Sequence, residues 1–205
     1  DEVIIFTPAY DCYAPAVELA GGKPVYVQLK NEDYSIDWKQ VKKIVSRHTK
    51  MIIINTPHNP SGSILTEKDI TELTKITKDN DIIILSDEVY EHIVFDGEEH
   101  LSLAKFPELV NRSLIVYSFG KTFHVTGWKT GYITGPENLM AEFRKVHQYN
   151  VFTANGPIQY AINEYMQLED RYLEVAHHYQ QKRNTFLSAV KASRFNAKPS
   201  KGTYF

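Results

Sequence analysis

Two lysines, one acid and a few hydroxyl and amide side chains are the residues of this chain best spaced for chemistry. Ser118-Phe119-Gly120-Lys121 follows the apolar run Ser113-Leu114-Ile115-Val116-Tyr117, and a second lysine, Lys129, lies between Gly127 and Gly131. The run reads as a buried strand, so Lys121 falls just beyond its carboxyl end. An ammonium buried there needs a partner. A carbonyl cofactor fits, because lysine joins an aldehyde covalently as a Schiff base. Gly120-Lys121-Thr122 also matches the tail of a phosphate-cradling P-loop. That motif requires a glycine five positions before Gly120, and Ile115 stands there. For the SxxK pattern alone, a turn with a solvated lysine is the plainer alternative.

Two further stretches put polar groups after apolar runs. One is Asn55-Thr56-Pro57-His58-Asn59-Pro60-Ser61-Gly62, and the other is Leu85-Ser86-Asp87-Glu88-Val89-Tyr90. An acid after Ile82-Ile83-Ile84-Leu85 is costly to bury without a cation. A helix N-cap is the alternative for Asp87, and a simple turn is the alternative for Asn59. Taken together, the three stretches hold what a pyridoxal phosphate site needs. Lysine takes the aldehyde, the acid takes the pyridine nitrogen, and polar groups take the ring oxygen.

The elements that must position these groups alternate. Strands are expected at Val3–Phe6, Pro24–Leu29, Met51–Asn55, Ile82–Leu85, Ser113–Tyr117 and Tyr132–Thr134. Helices are expected at Ala14–Ala20, stopped by Gly21-Gly22, and at Trp38–Ser46, capped by Asp37. Thr66 and Asp69 form a capping box for a helix with Ile70, Leu73 and Ile76 on one face. Glu137–Tyr149 spaces Leu139, Met140, Phe143 and Val146 as a helix does. One long helical region is expected from Pro157 to Ala192, and a second, smaller domain is expected to begin over Phe195–Phe205. Short all-apolar strands between amphipathic helices imply an α/β fold with a mostly parallel sheet covered on both faces. Such sheets bind ligands at the carboxyl ends of their strands.

Composition narrows the classes. The chain has 205 residues, enough for one large core, and 42% are apolar, so it is globular. A net charge of −2 without a basic run gives no footprint for nucleic acid. No apolar stretch reaches the roughly 18 residues a membrane helix needs. The single cysteine, Cys12, excludes an internal disulfide framework and a cysteine metal cluster, and fits a reducing cytoplasm. The histidines show no metal-ligand spacing. Of these, His58 and His124 lie in the motif loops, and His124 is a candidate to line the pocket. Asp1 leads straight into a strand and Phe205 ends inside an apolar run. The chain is therefore expected to be the central piece of a longer protein.

The motifs NTPHNPSG, LSDEVY, SFGKTFHVTGWKTGY and HQYNVFTANGPIQYA, in that order and at these separations, carry a resemblance over the whole chain. It resembles a fold-type I, class I/II pyridoxal-phosphate aminotransferase, and within that family the methionine aminotransferase and kynurenine aminotransferase/glutamine transaminase branch. The resemblance implies a cofactor-binding large domain over 1–175, lacking its N-terminal part, and an interdomain helix leading into a truncated small domain over 176–205. It implies Lys121, Asp87 and Tyr90 as catalytic residues. Lys121 would hold the cofactor and move the substrate proton, while Asp87 would pair with the pyridine nitrogen. Tyr90 and Asn59 would bond the ring oxygen, and Tyr10 would stack on the ring. Ser118 and Lys129 would contact the phosphate. Many relatives have arginine at the Lys129 position; lysine offers a point charge instead of a fork. Phe152, with Asn59, would contact substrate, and Phe152 would do so in the neighbouring subunit of a homodimer. The phosphate turn should precede Asp1, and the arginine that grips the substrate carboxylate should follow Phe205.

The implied activity is transamination between a large neutral amino acid, methionine-like or aromatic, and a 2-oxo acid, in the cytoplasm. A carbon–sulfur β-lyase on the same fold and cofactor is the nearest alternative. A non-catalytic interaction module is the other, although it would be expected to have lost Lys121 or Asp87.

Overall fold

In the computed structural model, which describes residues 1–168 and 171–205, one six-stranded sheet organises the chain. Its strands are β1 (Glu2–Thr7), β2 (Lys23–Gln28), β3 (Thr49–Asn55), β4 (Ile83–Asp87), β5 (Ser113–Ser118) and β6 (Gly131–Thr134). Their order is β2-β1-β3-β4-β5-β6. The first five run parallel, and β6 pairs antiparallel with β5. The helices are α1 (Tyr13–Leu19), α2 (Trp38–Ile44), α3 (Glu67–Thr77), α4 (Pro107–Val110), α5 (Phe119–Thr122), α6 (Glu137–Asn150), α7 (Gly156–Met166) and α8 (Val175–Val190).

Continuous apolar strands follow from cover on both faces. Ile4, Phe6, Ile52, Ile54 and Ile84 point one way and pack with Trp38 and Val41 of α2 and Ile70, Leu73 and Ile76 of α3. Val3, Ile5 and Ile53 point the other way, against Tyr13 and Val17 of α1. The expected helix starts hold in detail. Asp37 Oδ1 accepts from the Lys39 and Gln40 N–H groups, and Thr66 with Asp69 closes a reciprocal capping box on α3. Among the described residues, no helix is long and apolar enough to cross a membrane.

The single long helix expected from Pro157 to Ala192 is instead two. The α7 helix ends at Met166, Arg171–Glu174 is a 3₁₀ turn, and α8 starts at Val175. Tyr165 and Tyr172 both pack on the Phe123 ring, with centroids 5.2 and 5.6 Å away. The break lets both tyrosines grip the segment just after Lys121.

Candidate active site

Parallel strands deliver their carboxyl ends to one edge of the sheet, and the singled-out residues sit there. Tyr10 follows β1, Asn59 follows β3, Asp87 ends β4 with Tyr90 just after it, and Lys121 follows β5. Asn55 pairs in register with Asp87, and Asp87 with Val116. Asp87 is therefore a strand residue, and no helix follows it; the N-cap alternative is excluded. A cavity of about 150 Å³ opens at this edge, lined by Tyr10, Tyr13, Asn55, Asn59, Asp87, Val89, Tyr90 and Lys121.

Asp87 is the best-held member. The Tyr13 hydroxyl donates to its Oδ2, and the Val89 N–H donates to its Oδ1 at 3.3 Å. Its carbonyl accepts from Asn55 Nδ2 at 2.9 Å. Asn55 in turn accepts the Asn59 N–H at 2.6 Å, which fixes the loop that carries Asn59. Burial pushes the Asp87 carboxyl above its ordinary value, while the Tyr13 and Val89 hydrogen bonds and the Lys121 charge oppose the rise. No salt-bridge cation is bonded to it among the described residues.

Strand alternation sends the next residue to the opposite side. Glu88 is fully buried there, bonded by the Ser86 hydroxyl at 2.8 Å, the Leu103 N–H at 3.0 Å and His100 Nε2 at 2.9 Å. Burial, and then the Glu88 charge, push the nearby Glu91 carboxyl up to about 7. Burial holds His92 below its ordinary value. His58 is buried in its loop, bonded to the Ser61 hydroxyl at 2.7 Å, and burial pushes it down to about 4.

Lys121 sits on α5, the single turn that β5 runs into. Its Nζ lies 5.3 Å from the centroid of the Tyr90 ring and donates to the Tyr204 hydroxyl at 3.0 Å. Burial, and then the Tyr204 hydroxyl, hold the Tyr90 phenol above its ordinary value.

Tyr204 arrives on a segment that crosses back over the loops of the sheet. The Lys201 and Gly202 N–H groups both donate to the Gly62 carbonyl, at 2.9 and 3.0 Å. The Phe95 N–H donates to Lys201, and the Thr203 N–H donates to Ile93, each at 2.9 Å. Two glycines allow this approach. A Cβ at Gly62, where φ is +69°, would lie 2.4 Å from the Ser200 Cβ. One at Gly202 would lie 2.7 Å from the Ile93 carbonyl. Arg183 of α8 clamps the segment, donating to the Ser200 carbonyl at 2.6 Å while pairing with Asp96 at 2.7 Å.

Thus Tyr10, Asn59, Asp87, Tyr90 and Lys121 share one cavity, and Ser118, Lys129 and Phe152 do not line it. Ser118 ends β5, three residues before the lysine. Lys129 is exposed, with a left-handed φ of 52° after the Thr126–Trp128 turn. Phe152 is 71% exposed, so it is not a core residue of this chain. His124 is exposed and rests edge-on against Tyr179, away from the cavity. The sequence reading missed Tyr13, Asn55 and Tyr204 as site residues. Tyr13 follows Tyr10 by three positions in the first turn of a helix, a spacing that could have revealed it. Asn55 was within the singled-out loop without a role. Tyr204 has no local signal, because its partners lie far away in sequence.

The chain belongs to the class I and II aminotransferases, whose family pattern matches residues 1–205. It is 42% identical over 206 residues to methionine aminotransferase from Escherichia coli (strain K12), covering 100% of this chain and 53% of that protein. It is 34% identical over 207 residues to kynurenine–oxoglutarate transaminase 1 of Rattus norvegicus, covering 96% of this chain and 48% of that protein. The crystal structure of YbdL from Escherichia coli, described as having a methionine aminotransferase function, superposes with a TM-score of 0.96 at 42% identity. That match covers 100% of this chain and 54% of YbdL. The chain therefore spans about half the length of the relatives it matches, and it has the fold-type I architecture of these enzymes.

Proposed function

We propose that the full-length protein is a pyridoxal-phosphate-dependent aminotransferase that moves an amino group from a large neutral amino acid to a 2-oxo acid. The observation that carries this reading is the convergence of the Lys121 amine and the Asp87 carboxylate on one cavity with Tyr10, Asn59 and Tyr90. The residues fit the cofactor. Asp87 is a carboxyl raised by burial, with no bonded cation among the described residues, and a protonated ring nitrogen would supply one.

When bound, pyridoxal phosphate supplies an electron sink for the negative charge that develops at the substrate Cα. Lys121 Nζ is the group placed to anchor the aldehyde and then to take and return the Cα proton. Asp87 keeps the ring nitrogen protonated, which matters most as charge develops. Tyr90 and Asn59 are the groups in the cavity able to hydrogen-bond the ring oxygen, and Tyr10 offers a ring to stack. Family membership supports Ser118, at the end of β5, and Lys129, after the Thr126–Trp128 turn, as phosphate contacts on either side of Lys121. In this reading residues 1–175 bind the cofactor and 176–205 lead into a smaller domain.

Phe152 and its sequence neighbours Tyr149 and Val151 are all exposed, which supports a second copy as their cover. The aromatic candidates Tyr10 and Phe152 support large uncharged substrates, as do the relatives named for methionine and kynurenine. The test is direct. Full-length protein should be yellow, and borohydride should fix a phosphopyridoxyl group on Lys121. A label found on Lys129, or no chromophore, would refute the reading.

A further inference from the structure

We infer that Tyr204 is a positioning residue for Lys121: its hydroxyl holds the free amine at the mouth of the cavity, ready for the cofactor aldehyde. This rests on the proposed function and goes beyond the residues that function uses. Three observations support it. Lys121 Nζ donates to the Tyr204 hydroxyl at 3.0 Å, and the Tyr90 and Tyr204 ring centroids lie 5.3 and 5.7 Å from this nitrogen. Tyr204 is itself fixed, edge-on to Tyr90 at 5.3 Å and tilted against Tyr179 of α8 at 5.2 Å. Its backbone continues from Thr203, which is fully buried and bonded to the Ile93 carbonyl. A phenol packed on two other rings is thus aimed at the end of a flexible four-carbon side chain.

The physical gain is orientation. A free lysine samples many rotamers, and restricting them before reaction removes that loss from the covalent step. Capture joins Nζ of the neutral amine to the aldehyde carbon as a C=N bond. The carbonyl oxygen leaves as one water, which carries away both amine hydrogens. Tyr204 accepts from Nζ before this step and takes no part in the bond changes. Lysine is free again each time substrate displaces it, so the same hydroxyl gives the amine a defined resting place during turnover.

The experiment compares full-length wild type with Tyr204→Phe, which keeps the ring and its packing. Both are stripped of cofactor. Non-covalent capture is read with 4-deoxypyridoxine 5′-phosphate, which has no aldehyde, by fluorescence titration. The covalent step is read by stopped-flow absorbance after mixing with pyridoxal phosphate. The inference expects deoxypyridoxine phosphate to bind the variant as it binds wild type, and the first-order covalent step to slow by about tenfold, within what restricting one long side chain can supply. An unchanged covalent rate overturns the assignment. So does a parallel loss of affinity for the aldehyde-free probe, which would mark Tyr204 as a plain packing residue. If wild type neither binds the probe nor forms the chromophore, the proposed function itself fails, and the inference fails with it.

Discussion

Replacing Tyr13 with phenylalanine removes one oxygen and leaves the ring to pack edge-on against Tyr10, 5.7 Å away. What disappears is the hydroxyl that donates to Asp87 Oδ2. A hydrogen bond to a charged acceptor contributes about 1.5–3 kcal/mol, and one to a neutral acceptor about 0.5–1.5 kcal/mol. The substitution should therefore cost more stability when Asp87 is ionised than when it is protonated. The sign follows from linkage. Burial raises the folded Asp87 carboxyl above its ordinary value of 3.8, and the Tyr13 bond opposes that rise. The folded protein thus holds this proton more tightly than the unfolded chain does. This group's contribution to stability therefore falls as pH rises from the unfolded value through the folded one. Without the Tyr13 hydroxyl the folded value climbs further and the fall becomes larger. Urea unfolding of the full-length protein, freed of cofactor, would be measured at about pH 4.5 and about pH 8. The deficit of Tyr13→Phe relative to wild type should be larger at the higher pH by about 1 kcal/mol or more. Equal deficits at the two pH values, or a variant more stable than wild type at about pH 8, would refute the reasoning.

Under the proposed function, Asp87→Asn should keep the fold and some cofactor yet lose most turnover, because it would remove the charge proposed to keep the ring nitrogen protonated; near-normal turnover in a full-length assay would contradict that role. Glu91→Gln should flatten the pH dependence of stability. Its folded carboxyl sits at about 7 against an ordinary 4.5, so wild type loses stability as pH rises across that interval, and the amide does not. Unfolding curves across the interval that keep the wild-type slope would count against it. Phe152→Ala should shift thermal stability little, within about 0.5 kcal/mol for an exposed site, while weakening use of methionine and phenylalanine. Unchanged kinetics would remove Phe152 from the substrate pocket, and a loss of about 3–5 kcal/mol would instead give it a core role.

Much of the fold was legible because its signals are local. The runs at β1, β3, β4 and β5 are continuous and apolar, which only a strand covered on both faces requires. The capping box at Thr66 and the N-cap at Asp37 lie within four residues of their partners. That Lys121, Asp87, Tyr90, Asn59 and Tyr10 share one cavity was legible because each lies at or just after the carboxyl end of a strand, the edge where a parallel sheet binds ligands. The antiparallel direction of β6 was not read. It follows from a connection from Ser118 to Gly131 that holds only short turns and no crossover helix. The break between α7 and α8 was hidden because it depends on two tyrosines meeting Phe123, a tertiary contact. Tyr204 was hidden for a similar reason: it reaches Lys121 through a segment whose fit depends on distant glycines.

That segment also sets an order of assembly. A ribosome delivers Asn59, Asp87, Tyr90 and Lys121 well before it delivers Tyr204. Each of β2 to β5 pairs with a strand already made, so the sheet and its carboxyl edge can form early. The seam between Gly62 and Gly202 closes a long loop, whose entropy is offset only once both ends exist. A nascent chain halted before Ser200 would therefore display a finished sheet edge with an untethered lysine and an open mouth.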